Sequence, residues 1–341
     1  MKILFLSPYF YPHIGGVEKH AYILASSLMK KGHSVVIITK KHNNKLKSYE
    51  EVDALKIYRF NQPKVKYLGL IYTWFWLLLH FNLIYKSDII HCHDIFVWYL
   101  PFRLLLPNKP VFTTFHGWEG IYPIPLKNII YKKIAAKLSK GTLAIGKYVE
   151  KYYKIKVNKI SYGAVSTPKV PGSKVRNEIV YVGRLDSDTG LLIFLTVLDL
   201  LKKIKDISFS VNFCGDGELK TQCAKYGRVH GFVDPAPYLS KARFCFASGY
   251  LSILEAMANK CIILTGYDND LKKDYYLDTP FSKWINSSNN PEILAKKIIR
   301  FYFNTKLTQN AIESGYNWIK GQTWETLLND YLSLWKKTTA S

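Results

Sequence analysis

KILFLSPYFYPHIGGVEKHAYILASSLMKKGHSVVIIT, residues 2–39, is the stretch on which the fold turns. Lys2–Leu6 is a short apolar run, the pattern of a strand buried on both faces. Residues 7–16 hold Pro8, Pro12, Gly15 and Gly16 and read as a loop. Val17, Ala21, Leu24, Ala25 and Leu28 then recur at helical spacing. Gly32 stops that helix, and Ser34-Val-Val-Ile-Ile-Thr39 is a second apolar strand. Strand, glycine-containing turn, helix and strand make a βαβ unit.

The alternation continues outward. Asp88-Ile-Ile-His91, Val111-Phe-Thr-Thr114, Gly141-Thr-Leu-Ala-Ile145 and Lys159-Ile-Ser-Tyr162 repeat the short-strand pattern, with helical stretches between them. Such alternation implies a parallel sheet covered on both faces. Residues 166–177 (STPKVPGSKVRN) read as a linker. The pattern then restarts. Ile179–Val182 runs into Gly183-Arg184, Leu191–Ile204 is helical, and Phe209–Phe213 runs into Gly215-Asp216-Gly217. Arg243–Phe246 and Cys261–Leu264 flank a helix at Leu251–Ala258. A chain of 341 residues exceeds one ordinary core. The expected architecture is therefore α/β, with two tandem Rossmann-like domains at 1–165 and 178–318. In the last segment, Trp318–Lys337, Trp324, Leu327, Leu328, Tyr331, Leu332 and Trp335 recur at helical spacing, and 319–341 is expected as a C-terminal helix.

Charge is the outstanding fact of composition: 48 Lys and Arg against 25 Asp and Glu, net +23. Residues 1–165 hold 25 basic and 8 acidic residues, a balance of +17, and the rest hold 23 against 17, or +6. An anionic partner of the first half follows: a phosphorylated small molecule, an anionic membrane or nucleic acid. The competing reading is a lysine-rich surface and nothing more. No helix-turn-helix, zinc or RNA-binding aromatic motif accompanies the charge, so nucleic acid is not expected. Leu68–Ile84 contains no Asp, Glu, Lys or Arg. Its 17 residues fall short of the roughly 20 needed to span a bilayer. It reads as a buried or membrane-surface helix, flanked by Lys64, Lys66 and Lys86. The five scattered cysteines form no C-x-x-C pair and read as reduced, buried thiols, with no zinc. Lys2–Leu6 is too short for a signal-peptide core. The expected location is cytoplasmic, peripheral at the inner membrane face.

Seven segments together resemble the family 4 retaining glycosyltransferases, which have the two-domain GT-B architecture. They are Ser7-Pro8-Tyr9 with Gly15-Gly16-Val17-Glu18, Asp88–Asp94, Thr113–Gly117, Tyr162–Val165, Tyr181–Leu185, Phe213–Gly217 and Leu254–Ala258. The resemblance runs nearly end to end. It implies a nucleotide-sugar donor bound mainly by residues 180–260 and an acceptor bound by residues 1–165. An interdomain cleft and a C-terminal helix crossing back to the first domain come with it. The departing diphosphate needs cations and backbone amides. Arg184 forks two phosphate oxygens, beside Gly183 and Gly15. Glu255 takes the ribose hydroxyls, with Gly249 and Leu254 alongside. His116 contacts the donor sugar or its phosphate, and Gly16 lets backbone approach the diphosphate; these two are the catalytic candidates. Glu18, His93 and Asp94 fall on the acceptor side, where the acceptor is phosphorylated, a glycan or lipid-linked.

The sequence departs from the family pattern twice. Ala247 stands where the resemblance implies a second glutamate, and Thr189 where it implies the lysine of the phosphate loop. Lys241 and Arg243 are the nearby substitutes, each with a surface role as the plainer reading. The departures also admit a catalytically impaired binding module on the same fold. Asp186-x-Asp188 and Asp268-x-Asp270 match a short metal-binding pattern that is common by chance. Neither a metal nor a cofactor is expected.

Overall fold

The computed structural model describes residues 1–13, 15–63, 65, 68–168, 174–205 and 207–339. Lys64, Lys66 and residues 169–173 of the expected linker lie outside the described residues.

The chain forms two units. The first comprises Met1–Glu119, Pro123–Ser161 and Trp324–Ser341. Its elements are β1 (Lys2–Leu6), α1 (Gly16–Lys30), β2 (Ser34–Lys40), β3 (Tyr49–Val52), β4 (Leu55–Phe60), α2 (Leu68–Leu79) and α3 (Phe81–Tyr85). They continue with β5 (Ile89–His93), α4 (Phe96–Leu105), β6 (Val111–Phe115), α5 (Leu126–Leu138), β7 (Gly141–Ile145), α6 (Tyr148–Tyr153) and β8 (Lys159–Ser161). The sheet order is β3-β4-β2-β1-β5-β6-β7-β8. Every pairing is parallel except β3 with β4. β5, β6 and β7 are buried at every position, which is why they read as apolar runs.

The β3–β4 hairpin has no such signal. Its outer strand is Tyr-Glu-Glu-Val at a sheet edge. Its turn puts Asp53 and Ala54 at positive φ, +50° and +65°, without the glycine that normally marks such a turn. Leu68–Ile84 is not one helix: it breaks at His80 between α2 and α3.

The second unit comprises Gly120–Tyr122 and Tyr162–Thr323. It holds β9 (Val175–Val182), α7 (Leu191–Lys202), β10 (Ser210–Cys214), α8 (Lys220–Cys223), β11 (Arg228–Val229), α9 (Ala236–Lys241) and β12 (Ala242–Ala247). After these come α10 (Tyr250–Ala258), β13 (Ile262–Gly266), α11 (Asp270–Leu277), β14 (Ile285–Ser288), α12 (Pro291–Phe303) and α13 (Thr305–Ile319). The sheet is parallel throughout, in the order β11-β10-β9-β12-β13-β14. Leu191, Phe194, Leu195, Leu198 and Leu201 of α7 are buried on one helical stripe against it.

The last helix, α14 (Trp324–Thr339), belongs to the first unit. Trp318 lies in α13, so the periodic segment read from the sequence is interrupted before Trp324.

Strand order reverses beside β1 in the first unit and beside β9 in the second. In open α/β sheets, the carboxyl ends of the strands at such a point are where ligands bind.

Candidate functional site

In the second unit, β9 runs out at Gly183, φ +152°. A side chain there would stand 1.8 Å from Ser248 Oγ, and one on Gly215, after β10, 1.8 Å from the Gly183 carbonyl oxygen. The loops after β9, β10 and β12 therefore interlock at distances only glycine permits.

Arg184 stands on this edge. Its Nη1 is bonded to Asp186 Oδ2, and its Nη2 to Asp188 Oδ2 at 2.7 Å. Burial works against its charge, but Asp188 and Asp186 outweigh that and hold the guanidinium above its ordinary value. The expected fork toward phosphate is thus occupied by both carboxylates of the Asp186-x-Asp188 pattern. Asp186 also accepts from the Glu218 amide at 3.1 Å.

Thr189 is buried and structural. Its hydroxyl donates to the Asp186 carbonyl at 2.6 Å and accepts from Tyr181 Oη at 2.9 Å. The substitutes read from sequence are at the wrong end of β12. Arg243, second residue of that strand, is buried and bonded to the Phe301 carbonyl and Thr308 Oγ1. Lys241 closes α9 before the strand begins. At roughly 3.3 Å per residue, Arg243 lies about 13 Å from the strand's carboxyl end.

The second cation at this edge is Lys272 of α11, which sequence reasoning missed. It is 4% exposed. Its Nζ donates to the Ser248 carbonyl at 3.2 Å and to Tyr276 Oη at 3.4 Å, beside the rings of Tyr275 and Tyr276. Burial drives its pKa down to about 8, with Asp188 opposing and Arg184 adding. Asn269 caps α11 through the Lys272 amide at 2.9 Å, and that cap was the only local signal. It locates a helix start, not an ammonium group.

Glu255 is half-buried, the sixth residue of α10. The first turn holds no acid, so Glu255 does not serve the helix dipole there. Gly249 is the N-cap; its amide donates to Ser252 Oγ at 3.2 Å, and that hydroxyl returns to the Gly249 carbonyl at 2.8 Å. Leu254 is wholly buried, so its side chain is core. Ala247, buried, ends β12.

In the first unit, β5 and β6 bring His93, Asp94 and His116 together. His93 Nδ1 lies 2.8 Å from His116 Nε2, and the Asp94 carboxylate accepts from the His116 amide at 3.0 Å. Lys132, buried, donates to the Gly117 carbonyl and lies 3.7 Å from Asp94 and 3.4 Å from Glu119. His20, from α1, meets His116 edge-on at 4.7 Å.

Burial keeps these histidines neutral: His20 is pushed down to about 4, and His91, His93 and His116 well below the usual range. A neutral imidazole has one donor and one acceptor, so the network has a direction. Trp335 Nε1, which can only donate, bonds His91 Nδ1 at 3.2 Å. The His91 proton is therefore on Nε2, which donates to Thr114 Oγ1 at 2.8 Å. Thr114 passes its hydrogen to Tyr331 Oη, and Tyr331 passes its own to His20 Nε2, each at 2.9 Å. Among the described residues His93 Nε2 is buried without a partner, and one proton is shared between His93 Nδ1 and His116 Nε2.

Gly15 and Gly16 begin α1, and they differ. A Cβ on Gly15 would meet the Glu18 carboxylate at 2.2 Å, whereas one on Gly16 meets nothing within 4 Å. The Glu18 carboxylate, buried and 3.1 Å from His13 Nδ1, fills the helix terminus expected to face a diphosphate. Gly16 is thus not required by the fold; any need for it comes from what binds.

Residues 14–156 match the family described as Glycosyltransferase Family 4, and residues 176–304 match Glycosyl transferases group 1. An uncharacterised glycosyltransferase of Methanocaldococcus jannaschii is 27% identical, covering 95% of each chain. One subunit of the human phosphatidylinositol N-acetylglucosaminyltransferase is 39% identical over 57 residues, 17% of this chain and 12% of that one. Among solved structures, sucrose-phosphate synthase from Thermosynechococcus elongatus superposes with a TM-score of 0.81 at 14% identity, covering 99% of both chains. Anabaena HepE, solved with UDP and glucose, superposes at 0.72 with 13% identity over the whole of both.

Proposed function

The chain belongs to the family 4 glycosyltransferases with the two parallel-sheet domains of the GT-B architecture, and we propose that it is an active, metal-independent enzyme. It moves a sugar from a nucleotide-diphosphate sugar, with retention of configuration, to a phosphorylated, glycan or lipid-linked acceptor.

The observation that carries this reading is the pair Arg184 and Lys272 beside the interlocked glycine loops of the second unit. A departing diphosphate develops negative charge, and preorganised cations stabilise it. The phosphate oxygens take over the two hydrogen bonds that Arg184 now gives Asp186 and Asp188. Lys272 supplies the charge that Thr189 lacks, in the role a metal would otherwise fill. Glu255 takes the ribose hydroxyls beside Gly183 and Gly249. His116 contacts the donor sugar or its phosphate. Glu18, His93 and Asp94 form the acceptor side of the first unit, Asp94 exposed and the other two buried. The local likeness to a phosphatidylinositol N-acetylglucosaminyltransferase is consistent with a lipid-linked acceptor.

A thermal-shift panel of nucleotide sugars tests the donor assignment, because a ligand that binds the native state raises its melting temperature. At least one UDP-, GDP- or ADP-sugar is expected to stabilise the chain. Arg184→Ala and Glu255→Ala are each expected to weaken that ligand severely by calorimetric titration. No shift with any donor, or parental affinity in both variants, would refute the assignment. Ala247 and Thr189 motivate a second reading, a binding module without turnover; binding with neither donor hydrolysis nor transfer would select it.

A further inference from the structure

The first unit holds a cavity of about 670 Å³ lined by Tyr9, His13, Lys40, Lys41, His42 and Gln62 among others. Among the described residues, no acidic side chain lines it. It forms where the chain leaves β1, β2 and β4 before entering α2. Lys40 Nζ sits 4.3 Å over the Tyr9 ring. That ring stacks on His13 at 4.7 Å, and His13 meets His42 edge-on at 5.0 Å. The Glu18 carboxylate lies 3.1 Å from His13 Nδ1.

The far wall is the start of α2, held rigidly. Gln62 Nε2 donates to the Gly69 carbonyl at 3.2 Å and to Thr73 Oγ1 at 2.9 Å. A Cβ on Gly69 would meet the Pro63 carbonyl at 2.6 Å, so the helix closes tightly on the preceding loop. Trp74 Nε1 anchors the helix further along, to the Val97 carbonyl at 2.9 Å.

What α2 turns outward is unusual. Its buried residues are Gly69, Thr73 and Leu77, spaced four apart. Leu68, Ile71, Phe75, Leu78 and Leu79 form the opposite stripe, each more than half exposed. The larger apolar face of the helix therefore looks away from the core, and such a patch marks a binding surface. Twelve residues make about 18 Å of helix, too short to cross a bilayer and long enough to lie in its surface.

We propose that this cavity binds the phosphate of an anionic membrane lipid while the α2 stripe lies in the bilayer surface beside it. That the lipid is an acceptor rests on the glycosyltransferase reading; that it binds does not. Charge selects this occupant over a second copy of the chain. The cavity is basic, and the sequence through residue 165 carries +17, which would repel another copy at this face.

The test is co-sedimentation of the full chain with phosphatidylcholine vesicles, with and without phosphatidic acid. Pelleting is expected only with phosphatidic acid, and it should fall as salt rises. Lys40→Ala combined with Lys41→Ala should bind roughly 30-fold more weakly, at about 1 kcal/mol per basic residue. Phe75→Glu should abolish pelleting while melting with the parent chain. Sodium phosphate should displace the vesicles no more than sodium chloride of equal ionic strength. Three results would each overturn the proposal: equal pelleting with both vesicle types, parental binding by the double-lysine variant, or displacement by sodium phosphate well beyond that by sodium chloride of equal ionic strength. So would a parent chain that ignores vesicles but dimerises through Phe75. The assay reads no transfer, and the nucleotide-sugar shift of the second unit reads no lipid, so the two readings fail separately.

Discussion

At the scale of single residues, Lys272 makes the sharpest demand. In the unfolded chain its ammonium titrates near 10.5, and in the fold at about 8. Below pH 8 both states hold the proton and the fold bears the burial cost. Between pH 8 and 10.5 only the unfolded chain binds it, so stability rises with pH across that window. Lys272→Met should therefore be more stable than the parent at pH 7, by up to ~3 kcal/mol, with the difference vanishing above pH 10.5. Chemical denaturation across that range measures it; a flat difference would mean that the ammonium is not buried. The same variant should bind nucleotide sugar more weakly. None of this was legible locally, because a lysine reads alike whether its stem leads to solvent or under a sheet edge. Arg184 and Gly183 were legible, because an apolar run that ends in glycine and a cation is itself a local pattern. The contrast between Gly15 and Gly16 was hidden, since it depends on where the Glu18 carboxylate folds.

At the scale of elements, α14 shows how a helix from the far end of the chain completes the chemistry of the first unit. Leu327, Leu328, Tyr331 and Trp335 are buried there. Tyr331 and Trp335 also give the histidine network its direction. Trp335→Ala should cost roughly 3–5 kcal/mol in urea unfolding, the usual range for truncating a buried tryptophan. Trp335→Phe keeps most of the volume but removes the N–H to His91. It should cost about 1–3 kcal/mol through the unpartnered imidazole nitrogen, and nitrogen chemical shifts should show His91 Nδ1 losing its hydrogen bond while the proton stays on Nε2. Indistinguishable unfolding curves for all three chains would show that the helix is not seated there. Periodicity alone identified α14 as an amphipathic helix. It left open what the helix covers, and it ran Trp318 into the same segment although a break separates them.

At the scale of the whole molecule, five cysteines sit in two separate cores and all are free and buried. Burial raises every one of these thiols above its ordinary value, so the thiolate is scarce. A thiol reagent should find essentially none in the native protein and five after denaturation; rapid native labelling would contradict the packing. The alternation of apolar runs with helical stripes determined two parallel α/β sheets, because fully buried strands must be apolar at every position. Strand ends in glycine located the candidate loops of the second unit for the same reason: close backbone approach demands a specific residue type. Only the tertiary structure decided which side chains from distant segments meet. It placed Lys272 rather than Lys241 or Arg243 beside Ser248, and it turned Arg184 onto Asp186 and Asp188. It joined His91 of β5, Thr114 of β6 and His20 of α1 to Tyr331 and Trp335, and it directed the apolar stripe of α2 outward. Each is a long-range coincidence set by sheet order and helix packing, and no local pattern of residues encodes it.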